Sequence, residues 1–172
     1  TYFFNGGREE PFKNETRAMV HSPKVATYDL KPEMSASEVT EAVCGKIEDQ
    51  LPGFICLNFA NPDMVGHTGN PEAIVKACET VDTCLKKIVE KGKSAGYSFI
   101  IIADHGNADI MYNEDGSPHT AHSVNPVPII IIDSKVRTVS NGILADIAPT
   151  ILKLLNIERP KEMTGNSLIS FS

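Results

Sequence analysis

The chain has 172 residues, of which 41% are hydrophobic and 22% are charged, a composition typical of a globular domain that can bury a sizeable core. Its formal net charge of −6 argues against nucleic acid or an anionic membrane as the main partner, because no stripe of lysine and arginine is available to replace counterions. The apolar runs are only as long as strands, so none is predicted to cross a membrane.

The N-terminal part of the chain predicts one strand and one helix. Residues 1–7 are predicted to form a strand that ends in a glycine turn. A helix is predicted to follow Ser35, because Ser35 and Glu38 have the spacing of a capping box. Apolar residues recur at every fourth position from Val39, and the helix is expected to end before Pro52.

The middle of the chain predicts two buried strands on either side of a long helix. The apolar runs 54–59 and 99–102 are both of strand length. Between them, residues 71–91 have the periodicity of an amphipathic helix, whose apolar stripe is predicted to pack in the core. The stripe consists of Ile74, Ala77, Val81, Leu85 and Ile88.

The C-terminal part predicts a strand at 127–132, a helix at 143–155 and a short strand at 167–169. Pro149 allows either a kink in that helix or a later start. Alternating apolar strands and helices favour an α/β fold, with a mostly parallel sheet and helices on both faces.

The four cysteines form no C-x-x-C pair, and the sequence predicts that they are reduced, small core residues. Reduced cysteines are typical of a cytoplasmic protein. The residues concerned are Cys44, Cys56, Cys78 and Cys84.

Four of the five histidines lie in polar clusters outside the apolar faces of the predicted helices and strands. The clusters are Asp63 with His67, Asp104 with His105, and His119 with His122. The first two follow predicted strands, and the carboxyl ends of parallel strands meet at one edge of a sheet, where ligands bind. Carboxylate and imidazole are ligands suited to Mn²⁺, Zn²⁺ or Co²⁺, so the sequence predicts a metal site.

The spacing alone leaves simpler interpretations open. Asp63 and His67 would share one face of a helix, but Pro62 and Gly66 favour a turn, and an isolated pair of this kind arises by chance more often than by ligation. Asp104 could merely cap the turn after its strand. A complete site could be a two-metal centre for phosphoryl transfer or a single ion that joins loops.

Three long motifs carry a family resemblance. They are Asn-Phe-Ala-Asn-Pro-Asp-Met-Val-Gly-His-Thr-Gly at 58–69, Ala-Asp-His-Gly-Asn-Ala-Asp at 103–109 and Ala-His-Ser-Val-Asn-Pro-Val-Pro at 121–128. Together with shorter matches near both ends, they make the chain resemble the cofactor-independent phosphoglycerate mutases. The resemblance covers residues 1–172 as the C-terminal portion of that family's metal-binding phosphatase domain.

The resemblance implies an alkaline-phosphatase-like α/β domain with two divalent metal ions, usually manganese, with cobalt, magnesium or zinc as alternatives. By motif position, Asp63, His67 and His122 would hold one ion, whereas Asp104 and His105 would hold the other. His119 is not a ligand in the family pattern. It is expected either to contact the metal ligands without binding the metal or to be exposed to solvent.

The resemblance further implies interconversion of 3-phosphoglycerate and 2-phosphoglycerate through a phosphoserine, in a monomeric cytoplasmic enzyme of glycolysis and gluconeogenesis. The family's serine nucleophile, one aspartate ligand and the substrate-binding arginines belong to segments outside these 172 residues. The chain is therefore expected to contain no catalytic nucleophile, to be part of a larger enzyme and to be inactive alone. The alternatives are another phosphohydrolase or phosphomutase of the same superfamily, and a metal-binding module without catalysis.

Overall fold

The computed structural model describes residues 4–171, which form two compact units. The first unit contains residues 4–95 and 106–124, and the second contains residues 96–105 and 125–171. No helix within the described part of the chain is long and apolar enough to span a bilayer.

The first unit contains three helices among its described residues: α1 at Ala36–Asp49, α2 at Asn61–Gly66 and α3 at Pro71–Ser94. A short 3-10 turn at Tyr28–Leu30 precedes them. Helix α3 begins where predicted because the side chain of Asn70 accepts a hydrogen bond from the backbone N–H of Ala73, which caps the helix. Helix α3 packs against both α1 and α2.

The core of the first unit lies where α2 and α3 meet. Its buried residues are Met34, Val65, Ala73, Ile74 and Ala77. Val65, which is fully buried, lies on α2, and Ile74, which is 1% exposed, lies on α3. The predicted stripe of α3 is confirmed at its buried positions, and it fixes the short helix α2 in place.

The predicted capping box of α1 does not form. The helix begins at Ala36 as expected, but the Ser35 hydroxyl donates a hydrogen bond to the carbonyl of His21 and does not cap the helix. A cap would require the Ser35 hydroxyl oxygen to accept a hydrogen bond from the backbone N–H of Glu38, and that hydrogen bond is absent. The hydroxyl makes a tertiary contact instead. Residues 4–7 form turns with positive φ at Gly6 and Gly7, and residues 1–3 of the predicted opening strand lie outside the described residues.

The second unit contains two small sheets and one helix. Its elements are β1 at Phe99–Ile102, β2 at Ile129–Ile132, β3 at Val136–Val139, a 3-10 turn at Leu144–Asp146, α4 at Ile147–Leu154 and β4 at Ile169–Phe171. Of the two predicted alternatives for the last helix, a kink or a later start, the later start is correct. It places Pro149 in the first turn of α4, where a missing N–H costs no hydrogen bond.

Both strand pairs are antiparallel, which corrects the prediction of a mostly parallel sheet for the strands of the described residues. Phe99 of β1 is opposite Ile132 of β2, and Val139 of β3 is opposite Ile169 of β4. Parallel neighbours need a crossover connection, usually a helix. Residues 103–128, between β1 and β2, contain turns and isolated bridges and no helix, so the chain returns in the opposite direction.

The predicted strand at 54–59 is also wrong within the described residues. Residues 54–59 form no strand, because a strand requires a paired neighbour and none of the described strands pairs with this run. Cys56, expected to be buried in that strand, is exposed, as is Cys78 on α3. Only Cys84 of the four free cysteines is buried, so the prediction of core cysteines holds for that residue.

Asp146 joins three segments of the second unit. Its carboxylate accepts hydrogen bonds from the backbone N–H groups of Ile143, at 2.9 Å, and Asn166, at 2.7 Å. Its own carbonyl accepts from the hydroxyl of Thr150, which in turn accepts from the backbone N–H of Leu168. The hydrogen bond from the N–H of Ile143 has the largest effect on the pKa of Asp146, and the one from Asn166 has the next largest. Both stabilise the carboxylate and hold its pKa below the usual range.

We expect this unit to lose stability on acidification. Because the pKa of Asp146 is lower in the folded chain, its contribution is complete above the unfolded value of about 3.9 and is lost as pH falls through the folded value. Thermal unfolding between pH 5 and pH 2.5 should show a steeper decline for the wild type than for Asp146→Asn. Equal slopes would show that this carboxylate does not contribute to acid sensitivity.

Candidate metal centre

Asp63 and His67 lie one helical turn apart in the first unit. Asp63 is in the first turn of α2, and His67 directly follows its last residue. This segment is a helix and not the turn favoured by Pro62 and Gly66, because Pro62 occupies the N-terminal turn, where proline is tolerated, and Gly66 lies at the end. His67 Nε2 is therefore 3.2 Å from Asp63 Oδ1.

His122 reaches the same carboxylate oxygen from a loop. Its Nε2 is 3.2 Å from Asp63 Oδ1, and its ring centroid is 5.1 Å from that of His67. The neighbouring Ser123 fixes the loop, because its N–H donates to the carbonyl of Gly106 at 2.9 Å and its hydroxyl donates to the Asp109 carboxylate at 2.8 Å. The structure thus brings together the three residues assigned to one ion.

The hydrogen bond of His67 indicates what this cluster is suited to bind. Its Nδ1 is 2.7 Å from the carbonyl of Thr120, which can only accept, so Nδ1 carries the proton. In the neutral ring, Nε2 then directs a lone pair at Asp63 Oδ1, and two electron pairs at 3.2 Å repel unless a cation lies near them. Metal-binding histidines commonly donate Nδ1–H to a backbone carbonyl in this way.

The donor set fits a divalent transition metal. One carboxylate oxygen and two imidazole nitrogens converge, and the side chains of Asp63, His67 and His122 are 35%, 40% and 49% exposed, so an ion can reach them. Protonation of the histidines would also remove this repulsion, because each protonated ring would form an ion pair with the carboxylate. Titration with metal separates these two possibilities.

Gly69 allows the Thr120 carbonyl to reach His67. A Cβ at Gly69 would lie 2.8 Å from Cβ of Pro118 and 2.9 Å from Cγ2 of Thr120, and the φ of this glycine is +68°. Both observations require glycine. The loop therefore packs directly on the turn that follows α2.

Asp104 and His105 follow β1 in the second unit, at the strand end where they were predicted. His105 Nε2 is 3.7 Å from Asp104 Oδ1, and the Asp104 side chain is 79% exposed. Their assignment to a second ion stays a prediction.

His119 is partly buried, which contradicts the solvent-exposed option for this residue. Its Nδ1 is 2.8 Å from Asn113 Oδ1, and its backbone N–H donates to the carbonyl of Met111. These contacts hold the turn before His122 and involve none of the predicted metal ligands.

Asn107 is the site residue that the sequence did not reveal. It is 5% exposed, and its side-chain amide donates a 2.7 Å hydrogen bond to Asp63 Oδ1. The only available signal was its position within the Asp-His-Gly-Asn motif. Its partner is 44 positions away, so no local pattern could identify the contact.

Comparison with known proteins places this chain in a family. Residues 1–159 match the profile of the Metalloenzyme superfamily. A relative from Bacteroides fragilis strain YCH46 is 58% identical over 170 residues, and one from Flavobacterium psychrophilum is 56% identical over 169. Both are named 2,3-bisphosphoglycerate-independent phosphoglycerate mutase, and each match covers 98% of this chain and 34% of the relative.

A solved structure is also similar to the chain. It is described as Leishmania mexicana phosphoglycerate mutase at low cobalt concentration, with 32% identity and a TM-score of 0.90. The match covers 100% of this chain and 35% of that one, so the chain spans about a third of the length of these relatives.

These findings confirm the predicted resemblance and the alkaline-phosphatase-like α/β class. They also agree with the donor set at Asp63, since a protein of this class is expected to hold metal. By the match over residues 1–159, the chain belongs to the metalloenzyme superfamily.

Proposed function

We propose that the chain is the metal-binding part of a 2,3-bisphosphoglycerate-independent phosphoglycerate mutase. Such an enzyme interconverts 3-phosphoglycerate and 2-phosphoglycerate through a phosphoserine. The observation that carries the proposal is the convergence of His67 and His122 on one oxygen of Asp63, both at 3.2 Å. Relatives 56–58% identical to the chain over almost its whole length bear the name of this enzyme.

The proposed cofactor is a pair of divalent ions, with Mn²⁺ as the first candidate. Asp63, His67 and His122 would hold one ion, and Asp104 and His105 would contribute to the other. When bound, such ions supply Lewis acidity toward a phosphoryl group and the serine oxygen that attacks it. They also counter the net charge of −6, which alone would repel a phosphate.

The chain's own residues set the local charge and the orientation of the donors. Asp63 contributes one negative charge and the two histidines contribute none when they are neutral, so a divalent ion there would retain a charge of about +1. A positive balance favours a phosphorylated small molecule. The Thr120 carbonyl holds His67 with its Nε2 lone pair directed toward the site.

The proposal assigns the serine nucleophile, a further aspartate ligand and the substrate-binding arginines to the remainder of a longer protein. Residues 1–172 would then be the C-terminal portion of its phosphatase-like domain, in a monomeric cytoplasmic enzyme of glycolysis and gluconeogenesis. The chain alone is expected to show no mutase turnover, because it would lack the group that accepts the phosphate.

A chimera tests the proposal. Residues 1–172 would replace the corresponding third of the Bacteroides fragilis relative, and conversion of 3-phosphoglycerate would be measured with added Mn²⁺. The chimera should turn over substrate, and the same chimera with His122→Ala should lose activity while it remains folded. A folded chimera that is inactive, beside an active parent, would contradict the proposal. Hydrolysis of phosphate monoesters without mutase turnover would point to another enzyme of the superfamily.

A further inference from the structure

We infer that Asn107 is a positioning residue that fixes the carboxylate of Asp63 for metal binding, and that Gly66 is required because it leaves space for the Asn107 side chain. The inference rests on the metal site of the proposed function. Asn107, Gly66 and Asp63 all lie in the first unit.

Asn107 holds Asp63 at two points. Its Nδ2 donates to Asp63 Oδ1 at 2.7 Å and lies 3.3 Å from the backbone carbonyl oxygen of the same residue. Asp63 Oδ1 is also the oxygen that lies 3.2 Å from both histidine nitrogens. A buried amide that bridges the side chain and the main chain of one residue restricts rotation of that carboxylate, so its oxygen stays directed at the histidines.

The orientation of the Asn107 amide is determined by its partners. If the amide were rotated by 180°, its oxygen would face two acceptors, the carboxylate and the carbonyl of Asp63. The amide oxygen therefore points away from Asp63 and is buried without a hydrogen-bond partner. An unpaired buried acceptor is unfavourable, and one that persists beside a donor set indicates that the opposite end of the amide has a function.

Gly66 lies where the unpaired oxygen points. A Cβ at this position would overlap Asn107 Oδ1 and lie 2.7 Å from Cγ. The backbone of Gly66 is helical, so its φ does not require glycine, and the close approach of Asn107 is the reason for the missing side chain. Because a side-chain terminus can move more easily than the helix, alanine at this position should displace the amide from Asp63.

The experiment compares Asn107→Ala, Gly66→Ala and the double variant, each made in the chimera described above, by calorimetric titration with Mn²⁺. The unsubstituted chimera, which supplies the remaining aspartate ligand, serves as the wild type. Each single substitution should weaken Mn²⁺ binding by about 10- to 100-fold, the range typical of residues that orient metal ligands. The double variant should bind no more weakly than the weaker single variant, because both changes remove the same contact.

Two matched controls separate positioning from general disturbance. Gly45→Ala adds a methyl group to a helical glycine of α1 where a Cβ meets nothing within 4 Å, and Asn58→Ala removes an exposed amide. Both should bind Mn²⁺ as the wild type does. Thermal unfolding of every variant without metal detects a structural role, which would lower the melting temperature and leave the affinity unchanged.

Each result of these measurements either supports or contradicts the role inferred for Asn107. Wild-type affinity in Asn107→Ala, or additive losses in the double variant, would overturn the inference while leaving the proposed metal site intact. Absence of Mn²⁺ binding by the wild type would contradict the metal site itself. Hydrogen exchange of the Asn107 side-chain amide in the metal-free chain tests the contact independently. Slow exchange that becomes fast in Gly66→Ala supports it, and fast exchange in the wild type refutes it.

Discussion

Replacement of His122 by alanine should weaken the binding of one Mn²⁺ ion by more than about 100-fold, a larger loss than substitution of residues that only orient ligands produces. The reason is geometric, since His122 Nε2 lies 3.2 Å from the same Asp63 oxygen that His67 approaches. His122 is exposed and belongs to a loop, so its side chain should contribute little to folding. Calorimetric titration of the variant beside the wild type measures the effect.

His21→Ala is the matched control for this prediction. His21 is exposed and lies outside the three histidine clusters, so its loss should leave both affinity and stoichiometry unchanged. Equal stoichiometry and affinity in His122→Ala and the wild type would exclude His122 as a ligand. A fall in affinity that is matched by a collapse of the metal-free protein would instead assign a structural role to His122.

Replacement of Ile74 by alanine should lower the free energy of unfolding by about 2–5 kcal/mol. Ile74 is 1% exposed and belongs to the cluster that also contains Val65 of α2. Truncation leaves a cavity under the helix that carries Asp63, and the surrounding residues can fill it only in part. We therefore expect weaker Mn²⁺ binding in this variant as a secondary effect.

Val75→Ala is the control, because it changes the adjacent residue of the same helix at a position that is 46% exposed. Its effect should stay within about 0.5 kcal/mol, as for most surface substitutions. Urea unfolding of both variants gives the comparison. Similar losses for Ile74→Ala and Val75→Ala would show that the cluster between α2 and α3 is not the core of the first unit.

Helix positions could be predicted where the signal was local and long. The stripe of α3 extends over several turns, and the helix itself runs from Pro71 to Ser94, three residues beyond the expected end. Helix α2 was missed because it has only six residues, and Pro62 and Gly66 are common in turns as well as at helix ends. Its helical form depends on the burial of Val65 against α3, which is a tertiary contact.

Strand pairing could not be deduced from the apolar runs. The run 54–59 has the composition of a strand, but pairing depends on a neighbour, and the described residues provide none. The direction of β1 against β2 depends on the path of residues 103–128, which the apolar composition of the two strands does not specify. β3 was not predicted at all, because Val136–Val139 is a mixed and mostly exposed segment.

The residues of the candidate site also differ in how far the sequence could indicate their roles. The family motifs predict Asp63, His67 and His122 as ligands of one ion, and this assignment stays a prediction, while the structure brings the three side chains together. Asn107 and Gly66 could not be assigned roles, because their contact joins segments that are distant in sequence and appears only after folding. The motifs contained both residues, and the fold explains why each is there.

We propose that Asp63, His67 and His122 together hold one metal ion. Anomalous diffraction at the manganese edge, from crystals of the chain grown with Mn²⁺, tests it most directly. We expect a peak about 2.0–2.3 Å from Asp63 Oδ1 and from Nε2 of both His67 and His122. Anomalous peaks only elsewhere in the crystal, or the two histidines paired with Asp63 without an ion between them, would contradict the claim.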